Sequence, residues 1–317
     1  MRVAVVGAGQ FGKNHIRVCS QAPGAELVAI VDPDPVRLAA AEVPSGCLRL
    51  ADCGSLPGLV DCVVCAAPTS EHEAVGLFLL ESGIDVLMEK PIAPTLEAAD
   101  RLIAAAEAHG RILQVGHLER FNPVVMALEK AVTLPLFFEV HRMSVFSPRS
   151  LDVDVVLDLM IHDLDIVLSL ARGELQEIRA AGVSVLSRKV DIANVRLQFD
   201  DGCVANLTAS RVSTERIRKL RLFQPKQYIS LDYAKQDAAE FTVGEGGGIG
   251  YRKLPVTPDE PLKLQFESFI ECVRTRAQAK LNGPVARQTL GLALSILDKI
   301  EQHAQVVDQT LSRACKP

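Results

Sequence analysis

Three groups of residues in this 317-residue chain have types and spacings suited to chemistry. The first is Glu89-Lys90-Pro91, directly after the strand-like run Ile84-Asp85-Val86-Leu87-Met88. A lysine just past a buried parallel strand stands where open α/β sheets bind ligands, and its ammonium can stabilise a developing alkoxide. Taken alone, Glu-Lys-Pro fits an ordinary strand exit with a solvated lysine about as well, so its weight comes from its surroundings. The second group lies near residues 154–171, where almost every side chain is apolar except Asp158, His162, Asp165 and Ser169. At about 100° per residue these four share one stripe of a helix. A polar stripe buried without partners is costly, so it must meet partners, a cavity or a ligand. Asp158 and His162, four residues apart, can pair so that the carboxylate fixes the tautomer of the ring and raises its basicity. A core histidine satisfied by its neighbour is the bland alternative. A metal on Asp158, His162 and Asp165 is disfavoured, because hydride transfer beside a lysine needs none.

The third group is Val3-Ala4-Val5-Val6-Gly7-Ala8-Gly9-Gln10-Phe11-Gly12, which fits G-x-G-x-x-G after a strand and before a helix. Gly7 permits the tight turn, Gly9 admits a pyrophosphate against the backbone, and Gly12 lets helix and strand pack closely. Gln10 and Phe11 open the helix whose amides and dipole hold the anion. Asp32, at the end of the second strand, can accept from ribose hydroxyls and repel a 2'-phosphate, so the cofactor predicted is NAD. Arg37 nearby could instead accept that phosphate, or be a plain surface residue. Pro68, Thr69 and His72 follow the fourth strand and supply another cofactor-binding loop at the same sheet edge, with His72 expected on the cofactor or, alternatively, on the surface of a helix N-terminus.

The elements that must position these groups fall into two patterns. Over residues 1–120, apolar strand candidates (Arg2 to Val6, Glu26 to Val31, Cys47 to Leu50, Val60 to Cys65, Ile84 to Met88, Arg111 to Val115) alternate with helical stretches. That predicts an α/β fold opening with a Rossmann doubly wound parallel sheet, the NAD-binding domain. Residues 121–317 read as a second α/β domain for substrate binding and oligomerisation: helices near 123–131 and 154–171, then alternating strands from Ile178 to Gly244 that build a largely antiparallel open sheet, then helices near 262–276 and 285–305. Asp200-Asp201-Gly202 is a hairpin signal, and Gly244 to Gly250 reads as a hairpin tip. An open sheet needs cover on its second face, for which self-association into a homodimer or homotetramer is one answer.

A net charge of −5 argues against nucleic acid or a membrane surface as the main partner, and Asp61, Asp85 and Asp158 interrupt the apolar runs that could span a bilayer. With no basic leader read at the N-terminus, the expected location is the cytoplasm. Eight cysteines lie scattered (Cys19, Cys47, Cys53, Cys62, Cys65, Cys203, Cys272, Cys315), and Cys62-Val63-Val64-Cys65 falls in a strand where residues three apart face opposite ways. Buried reduced thiols are expected there rather than a metal or redox pair.

Together, the glycine loop at Gly7 to Gly12, Pro68-Thr69 with His72, Glu89-Lys90-Pro91 and the Asp158 to His162 step resemble the Gfo/Idh/MocA oxidoreductases along essentially the whole chain. Where that family often has glycines before the Asp, this chain has Val155-Val156-Leu157. The resemblance implies a catalytic neighbourhood of Lys90 and His162 supported by Asp158, with Glu89 and Lys90 beside the cofactor. More narrowly, Val115 to Pro123, Ser147 to Asp154 and Asp158 to Asp163 look like the branch that oxidises C3 of UDP-N-acetylglucosamine on the way to a 3-amino sugar, as in lipid A pathways. That branch implies a nucleotide-sugar substrate, with His117, Arg120, Arg149 and Arg211 joining Lys90, Asp158 and His162 in holding it. The basic run Arg211, Arg216, Arg218, Lys219, Arg221 would suit a diphosphate, or form a solvated strand face. Rival readings are a dehydrogenase of a free polyol or monosaccharide such as inositol, and a non-catalytic NAD-sensing protein.

Overall fold

The computed structural model describes residues 1–147, 153–244 and 246–314. Among them the α-helices are α1 (Gln10–Gln21), α2 (Pro35–Ala39), α3 (His72–Glu81), α4 (Leu96–Ala108), α5 (Pro123–Ala131), α6 (Ile161–Leu170), α7 (Pro261–Thr275) and α8 (Gly283–Ala314). By contact the chain divides into two compact units, Met1–Phe121 with Asp259–Leu290, and Asn122–Pro258 with Gly291–Pro317.

In the first unit, β1 (Arg2–Val6), β2 (Glu26–Val31), β3 (Leu48–Leu50), β4 (Cys62–Cys65), β5 (Asp85–Glu89) and β6 (Leu113–Gly116) form a parallel sheet in the order β3-β2-β1-β4-β5-β6. Every residue of β4, β5 and β6 is buried, as strands covered on both faces must be. The order reverses between β1 and β4, which makes the crevice beyond their carboxyl ends the natural ligand position. Helix starts follow local chemistry. Asp34 caps α2 with Pro35 in the first turn, and the Thr95 hydroxyl accepts from Ala98 N–H at the start of α4.

The sequence reading assigned everything past residue 120 to the second domain, yet Asp259–Leu290 belongs to the first unit. Leu262, Phe266, Phe269 and Val273 form one stripe of α7 and are buried with Val3, Val5, Ile16, Leu27 and Leu87. Arg276 adds a bidentate ion pair to Asp85 at 2.6 and 3.1 Å. An amphipathic stripe announces that a helix will bury one face; it carries no information on which core receives it.

In the second unit, β7 (Phe137–Val145), β8 (Leu175–Val183), β9 (Ile192–Phe199), β10 (Val204–Ser213), β11 (Ile217–Gln224), β12 (Gln227–Asp232), β13 (Asp237–Val243) and β14 (Ile249–Lys253) make one sheet, ordered β14-β13-β12-β11-β7-β10-β9-β8. All its pairings are antiparallel except β7 with β10. Asp200-Asp201-Gly202 turns β9 into β10, with Gly202 at φ 87°. The glycine-rich stretch does join two strands, although β14 itself was not foreseen, because all five of its residues are exposed and leave no alternation to read. One sheet face packs on Val124 and Leu128 of α5, Leu164 and Val167 of α6, and Ala293 and Ile296 of α8. On the other face Phe137, Phe223, Tyr228, Phe241 and Tyr251 form a row of ring contacts across five strands, with centroids 4.8 to 5.8 Å apart.

The segment read as one helix over 154–171 departs from that expectation. Val156–Met160 form a π-helical turn, in which Ile161 N–H donates to Val156 O, before α6 begins. The wider turn winds the chain less per residue, so Asp158 and His162 do not stand in plain α-helical succession. The predicted stripe does not share one environment. His162 and Asp165 are buried, Asp158 is half-buried, and Ser169 is exposed with its hydroxyl turned back to Ile166 O at 2.7 Å.

Candidate active site

The glycine loop is built as its spacing requires. Gly7 has φ 94°, and a Cβ on it would lie 2.5 Å from Ala66 O. A Cβ on Gly12 would lie 1.8 Å from Gly7 O, so helix α1 can approach β1 only without a side chain there. A Cβ on Gly9 would meet nothing within 4 Å. That open space faces the start of α1, whose free amides and dipole favour an anion. Gln10 and Phe11 are exposed in the same turn. Asp32, 2% exposed, accepts from Ala8 N–H at 2.8 Å and from Asp34 N–H at 2.9 Å, which locks its carboxylate to the glycine loop. A cleft of about 610 Å³ opens beside it, lined by Gly7, Asp32, Arg37, Cys53, Pro68 and Phe78 among others. Arg37 leans over this cleft, 3.8 Å from Asp32 and 3.3 Å from Asp34. The donors, the missing Cβ atoms and the fixed acid together fit a dinucleotide.

Lys90 follows β5 and is half-buried, with a cis peptide to Pro91. Both neighbours are held. Glu89 Oε1 accepts from the Nε2 of His15 on α1 at 2.8 Å, and its Oε2 accepts from Lys90 N–H at 3.2 Å. The carboxylate occupies the space that a side chain on Gly116 would take. Pro91 O is 2.9 Å from His72 Nδ1, while His72 Nε2 is 3.0 Å from Ala67 O. His72, expected on the cofactor or on the surface, is 1% exposed and ties the Ala67 loop to the Lys90-Pro91 loop, so the surface reading does not hold. Burial pushes its pKa down, opposed by the two carbonyls, and a neutral ring can donate to only one of them at a time. Thr69 opens a short 3₁₀ turn just before α3. His117 and Arg120 are buried where β6 runs into the 3₁₀ turn Leu118–Phe121, against which α7 packs.

Asp158 and His162 belong to the second unit, on the π-turn and the first turn of α6. Next to His162, Asp163 accepts from Arg142 Nε at 2.6 Å and Nη2 at 2.8 Å, with both side chains at most 3% exposed. The Arg142 guanidinium also lies 5.2 Å from the Tyr233 ring centre. The sequence reading missed this pair, as it missed His15, since partners distant in the chain leave no local signature. Arg211, foreseen on substrate, is buried and donates to the carbonyls of Val153 and Val190, with Asp191 3.6 Å away. Of the basic run, Lys219 and Arg221 are exposed on the open sheet face, and Arg221 pairs with Glu139 at 3.1 Å, so alternation along the strands divides the cluster. Arg149 lies outside the described residues. Cys62 and Cys65 are fully buried in β4; burial pushes Cys65 up to about 12 and Cys62 further.

Among the described residues no helix is long and apolar enough to cross a membrane. Residues 1–117 match the oxidoreductase family, NAD-binding Rossmann fold, of GFO/IDH/MocA, and residues 138–227 match the GFO/IDH/MocA C-terminal domain. A UDP-N-acetylglucosamine 3-dehydrogenase of Acidithiobacillus ferrooxidans is 32% identical over 311 residues, which cover 96% of this chain and 99% of that protein. The solved structure of a UDP-N-acetylglucosamine 3-dehydrogenase from that organism superposes with a TM-score of 0.89 at 31% identity, over 95% of this chain and 98% of the other. An inositol 2-dehydrogenase of Acidothermus cellulolyticus is 33% identical over 57% of this chain and 56% of its own length. With the glycine loop, the fixed Asp32 and the Glu89-Lys90-Pro91 exit in place, the chain belongs to the Gfo/Idh/MocA family of NAD-binding oxidoreductases.

Proposed function

We propose that this protein oxidises a secondary hydroxyl of a nucleotide sugar, C3 of UDP-N-acetylglucosamine, to a ketone. The observation that carries this reading is the 32% identity to an enzyme named for that reaction, maintained over nearly the full length of both chains. Bound NAD supplies the hydride acceptor. Asp32 would hold the adenosine ribose hydroxyls and the Gly9 end of α1 would hold the pyrophosphate. The Lys90 ammonium stabilises negative charge developing on the sugar oxygen. His162, with Asp158 setting its basicity, or Lys90 receives the hydroxyl proton. His117, Arg120 and Arg149 are assigned to the substrate. Arg211, engaged with Val153 and Val190, fixes the chain a few residues after Arg149.

The inositol dehydrogenase relatives support a second reading, oxidation of a free polyol. NADH formation across UDP-sugars, free sugars and polyols separates the two. Turnover restricted to UDP-N-acetylhexosamines supports the first, robust activity on inositol with none on UDP-sugars supports the second, and NAD binding without turnover on any panel supports a sensor. The row of rings from Phe137 to Tyr251, with Val243 and Ile249 exposed beside it, supports pairing of copies through the open sheet face. Light scattering on the purified protein measures that directly.

A further inference from the structure

We infer that His15, acting through Glu89, is a positioning residue for Lys90, so that the helix carrying the cofactor loop also sets the origin of the catalytic lysine side chain. The inference rests on the assignment of Lys90 to the chemistry proposed above.

His15 is 0% exposed in α1, among the buried residues Gly12, Ile16, Val18 and Cys19. An imidazole at such a position would ordinarily be replaced by an apolar side chain, because desolvating it costs stability. Its Nε2 makes one polar contact, to Glu89 Oε1 at 2.8 Å, and its Nδ1 has no hydrogen-bond partner among the described residues. The hydrogen-bonding capacity of the ring is thus directed at one carboxylate. A buried N–H without an acceptor is worse than a bare lone pair, which favours the tautomer with hydrogen on Nε2. Phe11 holds the ring edge-to-face at 5.5 Å.

Glu89 passes this restraint on. Its second oxygen accepts the Lys90 amide at 3.2 Å, and its carboxylate fills space that exists because Gly116, its register partner on β6, lacks a Cβ. On the far side, His72 holds Pro91 O from the first residue of α3. The Lys90 backbone is therefore clamped one residue before and one residue after, in each case by a buried histidine. A long flexible side chain delivers its ammonium reproducibly only if its Cα is fixed, and a displacement of about 1 Å at a reacting group can cost on the order of a hundredfold in rate. Apolar residues could hold the two strands and the helix together without burying a carboxylate. What they could not do is fix the Lys90 amide.

The test uses the NAD-loaded protein with its best substrate from the panel above. His15→Phe keeps an aromatic ring beside Phe11 and removes the donor, whereas His15→Gln restores an N–H able to reach Glu89. His15→Phe should lower kcat roughly ten- to a hundredfold while KM for NAD changes far less, and His15→Gln should recover most of the loss. The decisive comparison is the double variant: His15→Phe with Lys90→Ala should be no slower than Lys90→Ala alone, because the effect travels through Lys90. Should His15→Phe fail to fold, the near-isosteric Glu89→Gln carries the same comparison. Additive losses in the double variant, or normal turnover in His15→Phe while Lys90→Ala collapses, overturn the positioning role and spare the proposed chemistry. Normal turnover in Lys90→Ala overturns both.

Discussion

The Arg142–Asp163 pair should be among the costliest contacts in the second unit to break from one side, and inexpensive to remove whole. Both side chains are at most 3% exposed and meet through two hydrogen bonds of 2.6 and 2.8 Å. Arg142→Met leaves the Asp163 carboxylate buried without its counter-ion, a situation that costs about 3–5 kcal/mol. For a unit of this size each kcal/mol moves the midpoint by about 2–4 °C, so the melt should fall by about 6–20 °C. Asp163→Leu, which takes the carboxylate away from the buried guanidinium, should behave alike. The double variant Arg142→Met/Asp163→Leu should regain most of the loss, because apolar groups of similar volume often replace a buried ion pair at little cost. Thermal and urea unfolding followed by circular dichroism measures all three. Single-variant costs below about 1 kcal/mol, the level of a solvent-exposed pair, would refute the argument. So would a double variant as unstable as the two singles added together.

Other expectations follow from the same geometry. Gly12→Ala forces a Cβ to 1.8 Å from Gly7 O and should weaken both folding and NAD binding, whereas Gly9→Ala, whose Cβ meets open space, should melt normally and lose NAD affinity alone; calorimetry beside a melt distinguishes them. Asp32→Ser should weaken NAD and relax discrimination against NADP, with Arg37 then free of its Asp32 partner to meet a 2'-phosphate; tighter NADP than NAD binding in the unaltered protein would contradict the role of Asp32. Asp191 is buried; burial alone would raise it, but the Ser187 hydroxyl and the amides of Ser187, Leu186 and Val185 bring it to about 2 from the usual 3.8. A depressed carboxyl stabilises the fold in full above its unfolded value and loses that contribution as pH falls towards 2, so the deficit of Asp191→Asn in urea midpoint should be largest near neutrality and shrink below pH 4.

What could be read from the chain was what local pattern encodes. Buried parallel strands appear as apolar runs, and the Gly7, Gly9 and Gly12 spacing with Asp32 specifies a turn, an approach and an acid that the structure reproduces. Asp200-Asp201-Gly202 placed a hairpin for the same reason, since Gly202 adopts the left-handed conformation its turn requires. What escaped depends on contacts between residues far apart in sequence. His15 and Glu89 are 74 positions apart, and Arg142 and Asp163 are 21 apart. Helix α7 shows its apolar stripe but not its destination. The π-turn at Val156–Met160 escaped because nothing in Val-Leu-Asp-Leu-Met distinguishes it from an α-helix; an i to i+5 ladder is imposed by packing rather than by propensity. That turn offsets Asp158 from the α6 residues, whereas Asp165 and Ser169 share α6, with Asp165 buried and Ser169 exposed one residue before the helix ends.

The most direct test of the central claim is to follow one hydrogen. UDP-N-acetylglucosamine carrying deuterium at C3 is incubated with the protein and NAD, and both products are weighed by mass spectrometry. The account predicts that the deuterium appears in NADH and that the sugar nucleotide becomes a ketone lighter by both the C3 deuterium and the hydroxyl hydrogen. Unlabelled NADH from that substrate would place the oxidation at another carbon. No NADH at all, with NAD bound and inositol readily oxidised, would contradict the nucleotide-sugar assignment while leaving the family assignment intact.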